Sequence, residues 1–283
     1  MLDPNGVIWA VPLAVLAGLF VGGWLTKLAP RMPLLMEHAW AEQCREWWGQ
    51  ASDPASPAAH PPRLYEPSAC AHCHVRLPLR QQVPLLGWLM LGGRCAYCRA
   101  DIGWHYPATE IACALLFALC VLVFGPSWLA LAAIGYMTVL ALLALVDLRS
   151  SLLPDTLTLP LLWAGLLLNG SGYGLTTLQD SVWGAAGGYL FLWLLFHGFR
   201  LVTGREGMGY GDFKLLAALG AWLGATSLPW LLLGASITGA VVGIALTVTG
   251  KVGRGQPLPF GPYLAAGGMI MLLLNGYWAM GHG

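Results

Sequence analysis

Two short stretches carry carboxylates inside an otherwise apolar chain. One is VDLRSSLLPD (146–155), with Asp147 and Asp155; the other is GMGYGD (207–212), ending in Asp212. Asp147 closes an apolar run, so a helix there would place a negative charge at its C-terminal end, against the dipole. Helix capping therefore accounts poorly for it. Asp155 and Asp212 open apolar runs, where a carboxylate can cap free N–H groups and face the positive end of the dipole. Asp212 also follows Gly207, Gly209 and Gly211. Alternating glycines remove side chains and permit φ > 0, so a ligand backbone can come close, and these three are the candidate substrate-binding positions. Two carboxylates brought together at the edge of a low-dielectric region cannot readily both ionise. They share a proton, one serving as base and the other as acid. Such a pair can activate water against a peptide carbonyl and protonate the leaving amine.

A second set of residues suits a metal. CAHC (Cys70, Cys73) and CAYC (Cys95, Cys98) are spaced C-x2-C-x21-C-x2-C, one residue beyond the usual middle gap of zinc ribbons. Each pair presents two thiolates to one tetrahedral ion, and four protein ligands leave no open position for chemistry. The reading is a structural zinc site; a redox pair and four unrelated thiols are the other two. His72 and His74 flank the first pair and could replace one ligand. Cys44 falls in a stretch that reads as a helix, MEHAWAEQCREWW (36–48), and Cys113 and Cys120 read as small apolar fillers of a membrane segment.

The elements that must hold these residues follow from composition. Of 283 residues, 57% are hydrophobic and 10% charged, against about 25% charged in soluble domains. This is the composition of a polytopic membrane protein. A net charge of +1 and the lack of a basic run give no footing for nucleic acid. Apolar segments fall at 8–25, 106–124, 128–146, 156–168, 181–199, 213–226, 230–249 and 260–280, the fourth and sixth short for a crossing. The first lacks a preceding basic region and reads as a retained helix rather than a cleaved signal. If all eight cross, the short loops of one side hold Arg149, Arg200, Arg205, Lys214, Lys251 and Arg254, and those of the other hold no Lys or Arg. The positive-inside rule puts the charged side in the cytoplasm and both termini in the periplasm. Asp147, Asp155 and Asp212 then share the cytoplasmic face, with Asp180 on the outer side. Gly18/Gly22, Gly184/Gly188, Gly220/Gly224 and Gly239/Gly243 have the spacing that lets membrane helices approach closely.

The expected fold is thus an all-α polytopic membrane protein of about eight transmembrane helices. It divides into a first transmembrane helix (1–26), a cytoplasmic loop with the four-cysteine zinc site (27–105) and a seven-helix membrane domain (106–283). The 27–105 loop has too little apolar content to build a core unaided, and a metal clip is one remedy. Its stretch ASDPASPAAHPP (51–62) reads as a connector.

GMGYGD (207–212) paired with VDLRSSLLPD (146–155), two CxxC motifs between the first two membrane segments, and eight apolar segments together resemble the bacterial type IV prepilin peptidases. These are GxGD-type intramembrane aspartyl proteases. The resemblance covers nearly the whole chain, and GMGYGDFKLLAALGAW is its most specific part. It implies that Asp147 and Asp212 are the catalytic pair and that 106–283 is the protease domain. It also implies removal of the basic leader of prepilins and pseudopilins at the cytoplasmic face of the inner membrane, between a glycine and, usually, a phenylalanine. Methylation of the new N-terminal amine from S-adenosylmethionine follows, and the products serve type IV pili and type II secretion. Two stretches depart from the family. GGWLTKLAPRMP (22–33) stands where GSFLNVVIYRLP is common, and RQQVP (80–84) where W-x-x-N-I-P is common. No residue marks the methyl donor's site. A proton- or cation-coupled transporter and a non-catalytic scaffold with a zinc loop are the alternatives.

Overall fold

A backbone that crosses hydrocarbon must satisfy its own N–H and C=O groups, and a run of uniformly apolar residues does so as a helix. The computed structural model describes residues 4–49, 69–70, 72–204, 208–250, 253 and 258–281. Among these, every regular element is helical: α1 (Pro4–Leu28), α2 (Arg31–Trp47), α3 (Leu86–Met90), α4 (His105–Phe124), α5 (Trp128–Ser150), α6 (Asp155–Gly170), α7 (Leu178–Thr203), α8 (Tyr210–Leu223), α9 (Leu228–Val248) and α10 (Gly261–Gly281). The expected connector at 51–62 lies outside the described residues.

Each of the eight apolar segments becomes a helix, but six stretches among the described residues are long and apolar enough to cross a membrane: Gly6–Trp47, His105–Phe124, Trp128–Ser150, Leu178–Thr203, Ala225–Val248 and Gly261–Gly281. The other two are α6, with 16 residues, and α8, with 14. At about 1.5 Å per residue they reach about 24 and 21 Å, against roughly 30 Å of hydrocarbon. Their ends are local in cause. Pro154 holds the start of α6 in an extended conformation, and Gly224, at φ +81°, ends α8.

The chain forms two compact units: Leu13–Leu115, and Met1–Pro12 with Leu116–Gly283. In the first, Gly18 and Gly22 of α1 lie on the backbone of α4. A Cβ added at either would come within 2.6 Å of the Cα of Ala114 or Glu110.

In the second unit α8 is the axis. Eleven of its fourteen residues are buried, including all of Leu215–Leu223, and α6, α7, α9 and α10 pack around it. That position explains its length, since a helix sheathed by other helices need not match the bilayer. Gly184 of α7 meets Gly220 of α8 so closely that a Cβ on either would run into the other's backbone. The C-terminal end of α8 is held by side chains: the Asn169 amide donates to the Ala221 carbonyl at 2.8 Å, and the Trp222 indole donates to the Leu161 carbonyl at 2.7 Å. Asp180 accepts from the Thr176 hydroxyl at 2.9 Å and from the Ala225 N–H at 3.3 Å. With its far end clamped, α8 has a fixed depth and rotation, and so does the acid in its first turn.

Candidate functional site

Asp147 lies in the last turn of α5, with 4% of its surface exposed. The turn ends because Ser151 adopts a left-handed conformation, φ +53°, and returns its N–H to the Asp147 carbonyl at 2.8 Å. The carboxylate is directed at the start of α10. A Cβ added at Gly261 would come within 2.6 Å of Asp147 Oδ2. That oxygen is buried and has no hydrogen-bond partner among the described residues, a costly state for a polar atom.

Asp212 sits in the first turn of α8, 7% exposed, its N–H donating to the Gly209 carbonyl at 3.3 Å. The two acids, from the C-terminal end of one helix and the N-terminal end of another, lie within electrostatic reach of each other. Charge on one therefore opposes charge on the other.

The glycines before Asp212 differ in what they do. Gly207 lies outside the described residues. Gly209, the N-cap of α8, is extended at φ −81°, so positive φ is not its reason; beside it stands Asp212 Oδ2, 3.9 Å from where a Cβ would be. Gly211 is helical, and the space its missing side chain leaves is filled by Leu153, whose Cβ would lie 2.7 Å from an added Cβ. Leu153 also comes within 3.3 Å of the Cβ position of Gly261. One leucine from the α5–α6 connection thus spaces the starts of α8 and α10. Leu153 and Gly261 escaped the sequence reading because neither carries chemistry of its own. Asp155 is not a simple cap: its carboxylate accepts from Lys214 of α8 at 2.6 and 2.7 Å.

The four cysteines come together. Their sulfurs all lie within 4.8 Å of one another, with Cys70–Cys98 at 3.7 Å and Cys73–Cys95 at 4.0 Å. A tetrahedron of thiolates at ~2.3 Å from zinc has edges of about 3.8 Å, so the set fits that ion. The two CxxC turns repeat one geometry. Cys70 N donates to Val75 O at 3.1 Å and His74 N to Cys70 O at 2.9 Å; Cys95 N donates to Ala100 O at 2.9 Å and Arg99 N to Cys95 O at 3.0 Å. His74 and Arg99 both take positive φ, 54° and 59°, and an antiparallel bridge closes each turn, Ala69 to Arg76 and Arg94 to Asp101. In both, the first thiol receives backbone N–H groups. Those of Cys73 and His72 bring Cys70 down to about 6, and those of Cys98 and Tyr97 lower Cys95. Such thiols are ready metal ligands.

A further acid was missed in the sequence. Glu110, one turn into α4, is 9% exposed and accepts the Leu85 N–H at 2.6 Å. An acid within an apolar segment was the available signal.

The pattern of the type IV leader peptidase family matches residues 134–244, and that of the bacterial peptidase A24 N-terminal domain matches 16–124. The chain is 44% identical over 261 residues to a prepilin leader peptidase/N-methyltransferase of Stutzerimonas stutzeri, covering 92% of this chain and 89% of that protein. A protein of the same description from Aeromonas hydrophila is 45% identical over 271 residues, 95% and 92% of the two chains. One from Dickeya chrysanthemi is 42% identical over 274 residues, 96% and 95%. No solved structure matches. With relatives this similar along almost its whole length, and both acids inside the matched region, the chain belongs to the type IV leader peptidase family.

Proposed function

We propose that the chain is an integral inner-membrane aspartic endopeptidase. It removes the basic leader of type IV prepilins and type II secretion pseudopilins at the cytoplasmic face and then methylates the new N-terminal amine. The observation that carries this reading is the pair Asp147 and Asp212, buried at two helix ends and within electrostatic reach. The names of the relatives supply both activities. Positive charge on the short loops of one side supports eight crossings, counting α6 and α8, with the acids and the cysteine loop in the cytoplasm and both termini in the periplasm. In that arrangement 1–26 is the first membrane helix, 27–105 the loop domain and 106–283 the protease domain.

The pair shares one proton. The protonated carboxyl hydrogen-bonds the scissile carbonyl oxygen while the other takes a proton from the attacking water. Collapse of the tetrahedral adduct passes a proton to the leaving nitrogen, and no acyl-enzyme forms. Gly209, free of a side chain, seats the substrate backbone beside Asp212, and Gly211 lets α8 start against Leu153. Cys70, Cys73, Cys95 and Cys98 hold zinc as a structural clip. S-adenosylmethionine supplies an electrophilic methyl group for the second reaction. A transporter would keep its acids near the membrane midplane on broken helices, whereas this pair stands at helix termini.

Asp147→Asn and Asp212→Asn should each abolish cleavage of a purified prepilin while the thermal unfolding midpoint in detergent stays near that of the parent. Substantial turnover by either variant would falsify the dyad.

A further inference from the structure

The unit Leu13–Leu115 holds a cavity of about 530 Å3, walled by α1, the turn before α3, the start of α4 and the rim of the cysteine cluster. Its size lies within the roughly 300–1,000 Å3 typical of small-molecule sites. Glu110, Lys27, Trp24 and Trp88 line it. One oxygen of Glu110, Oε2, is fixed by the Leu85 N–H at 2.6 Å. That bond needs Leu85 at φ +59°, ψ −50°, a conformation a branched side chain adopts only when its surroundings impose it. The other oxygen, Oε1, lies where α1 has no side chain. A Cβ at Gly23 would be 3.0 Å from it. Lys27 stands within electrostatic reach of this carboxylate. Trp88 is fixed by its indole N–H on the Ile102 carbonyl at 3.0 Å, and Trp24 is 41% exposed. So the cavity offers one backbone-held carboxylate, one ammonium and two indoles.

We propose that this cavity binds S-adenosylmethionine, with the Glu110 carboxylate facing its sulfonium. The inference rests on the methyltransferase reading above and gives that activity a place. The ligand is a cation with an aromatic base at one end and an amino-acid carboxylate at the other. A carboxylate and an indole face attract the sulfonium, a second indole stacks on adenine, and Lys27 meets the carboxylate. Leu85 and Gly23 are positioning residues, since they act through Glu110.

The test is equilibrium binding of S-adenosylmethionine and of the neutral thioether S-adenosylhomocysteine to the full-length protein in detergent. Transfer of labelled methyl to a cleaved prepilin and the unfolding midpoint are read on the same preparations. The parent should bind the sulfonium form more tightly. Glu110→Gln should weaken that binding about tenfold or more and remove the preference over the thioether. Trp24→Ala, at an exposed wall, should weaken both ligands several-fold, and it serves as the deciding variant if Glu110→Gln unfolds. If the parent transfers methyl but the folded variants bind both ligands as the parent does, the site assignment is overturned and the methyltransferase reading stands. If the parent neither binds nor transfers, both fall.

Discussion

Gly261 governs Asp147 although it has no functional group. Its missing side chain lets the α10 backbone approach the carboxylate, and a methyl group there would stand 2.6 Å from Oδ2. Gly261→Ala should therefore turn the carboxylate away, with Leu153 Cδ1, 3.3 Å from the new methyl group, shifting only slightly. Displacements near 1 Å at a catalytic group cost about a hundredfold, so leader cleavage should fall by one to two orders of magnitude. A cleavage assay beside a thermal melt checks this, and parent-like turnover would remove Gly261 from the site. Asp147 stood out in the sequence because a carboxylate at the C-terminal end of an apolar helix has no capping excuse, and Asp212 because of the glycines before it. Their neighbours did not. Gly261 and Leu153 act by shape across a hundred residues of chain, and nothing about an isolated glycine or leucine says which backbone it touches. Glu110 was legible in principle, but its partner, the Leu85 N–H, exists only because of a backbone conformation that composition does not encode.

The helices repeat that division. Apolar runs gave their positions to within a few residues, since lipid and core alike reward uninterrupted apolarity. They did not give their lengths relative to the bilayer. The same fourteen-residue run that fits a short crossing also fits a buried axis, and only the surrounding α6, α7, α9 and α10 decide it. Glycine spacing did mark the α7–α8 crossing, where Gly184 and Gly220 touch backbone to backbone. Gly220→Val should force these helices apart, and overpacking of this kind costs about 1–3 kcal/mol. The melting midpoint in detergent should drop by several degrees and cleavage should decline with it. Gly187→Ala on α7, the helix of Gly184, is the contrast, since nothing lies within 4 Å of its Cβ position. Equal effects of the two substitutions would refute the crossing argument. The glycines of α9 behave differently. Gly239 and Gly243 meet side chains, Tyr263 and Leu258, rather than a helix backbone.

Two compact units hold the acids on one hand and the cysteines and the cavity on the other, so the proposed protease site and the proposed methyl-donor site fall in different parts of the chain. Removing the metal should therefore fall unevenly. With zinc stripped by a chelator, or with Cys95→Ser, proteolysis between 69 and 101 should quicken and methyl transfer should be lost before leader cleavage. Elemental analysis of the untreated protein should return about one zinc per chain. Absence of zinc, or an identical decline of both reactions on chelation, would count against a separate metal-clipped unit. The pairing of the two CxxC turns was readable from spacing alone, because two thiolates per turn and one tetrahedral ion leave few alternatives. The cavity beside them was not, since it is bounded by α1 and α4, which the sequence assigns to the membrane.

The shortness of α8 has one more result. Of its neighbours, α7, α9 and α10 run for 26, 21 and 21 residues and α6 for 16, and the fourteen-residue axis falls short of a typical hydrocarbon core by about 9 Å. At the start of α8 Gly209 and Tyr210 are exposed, while Asp212, barely a turn deeper, is buried. A short central helix whose first residues are exposed keeps a buried carboxylate less than one turn from the surface of the bundle.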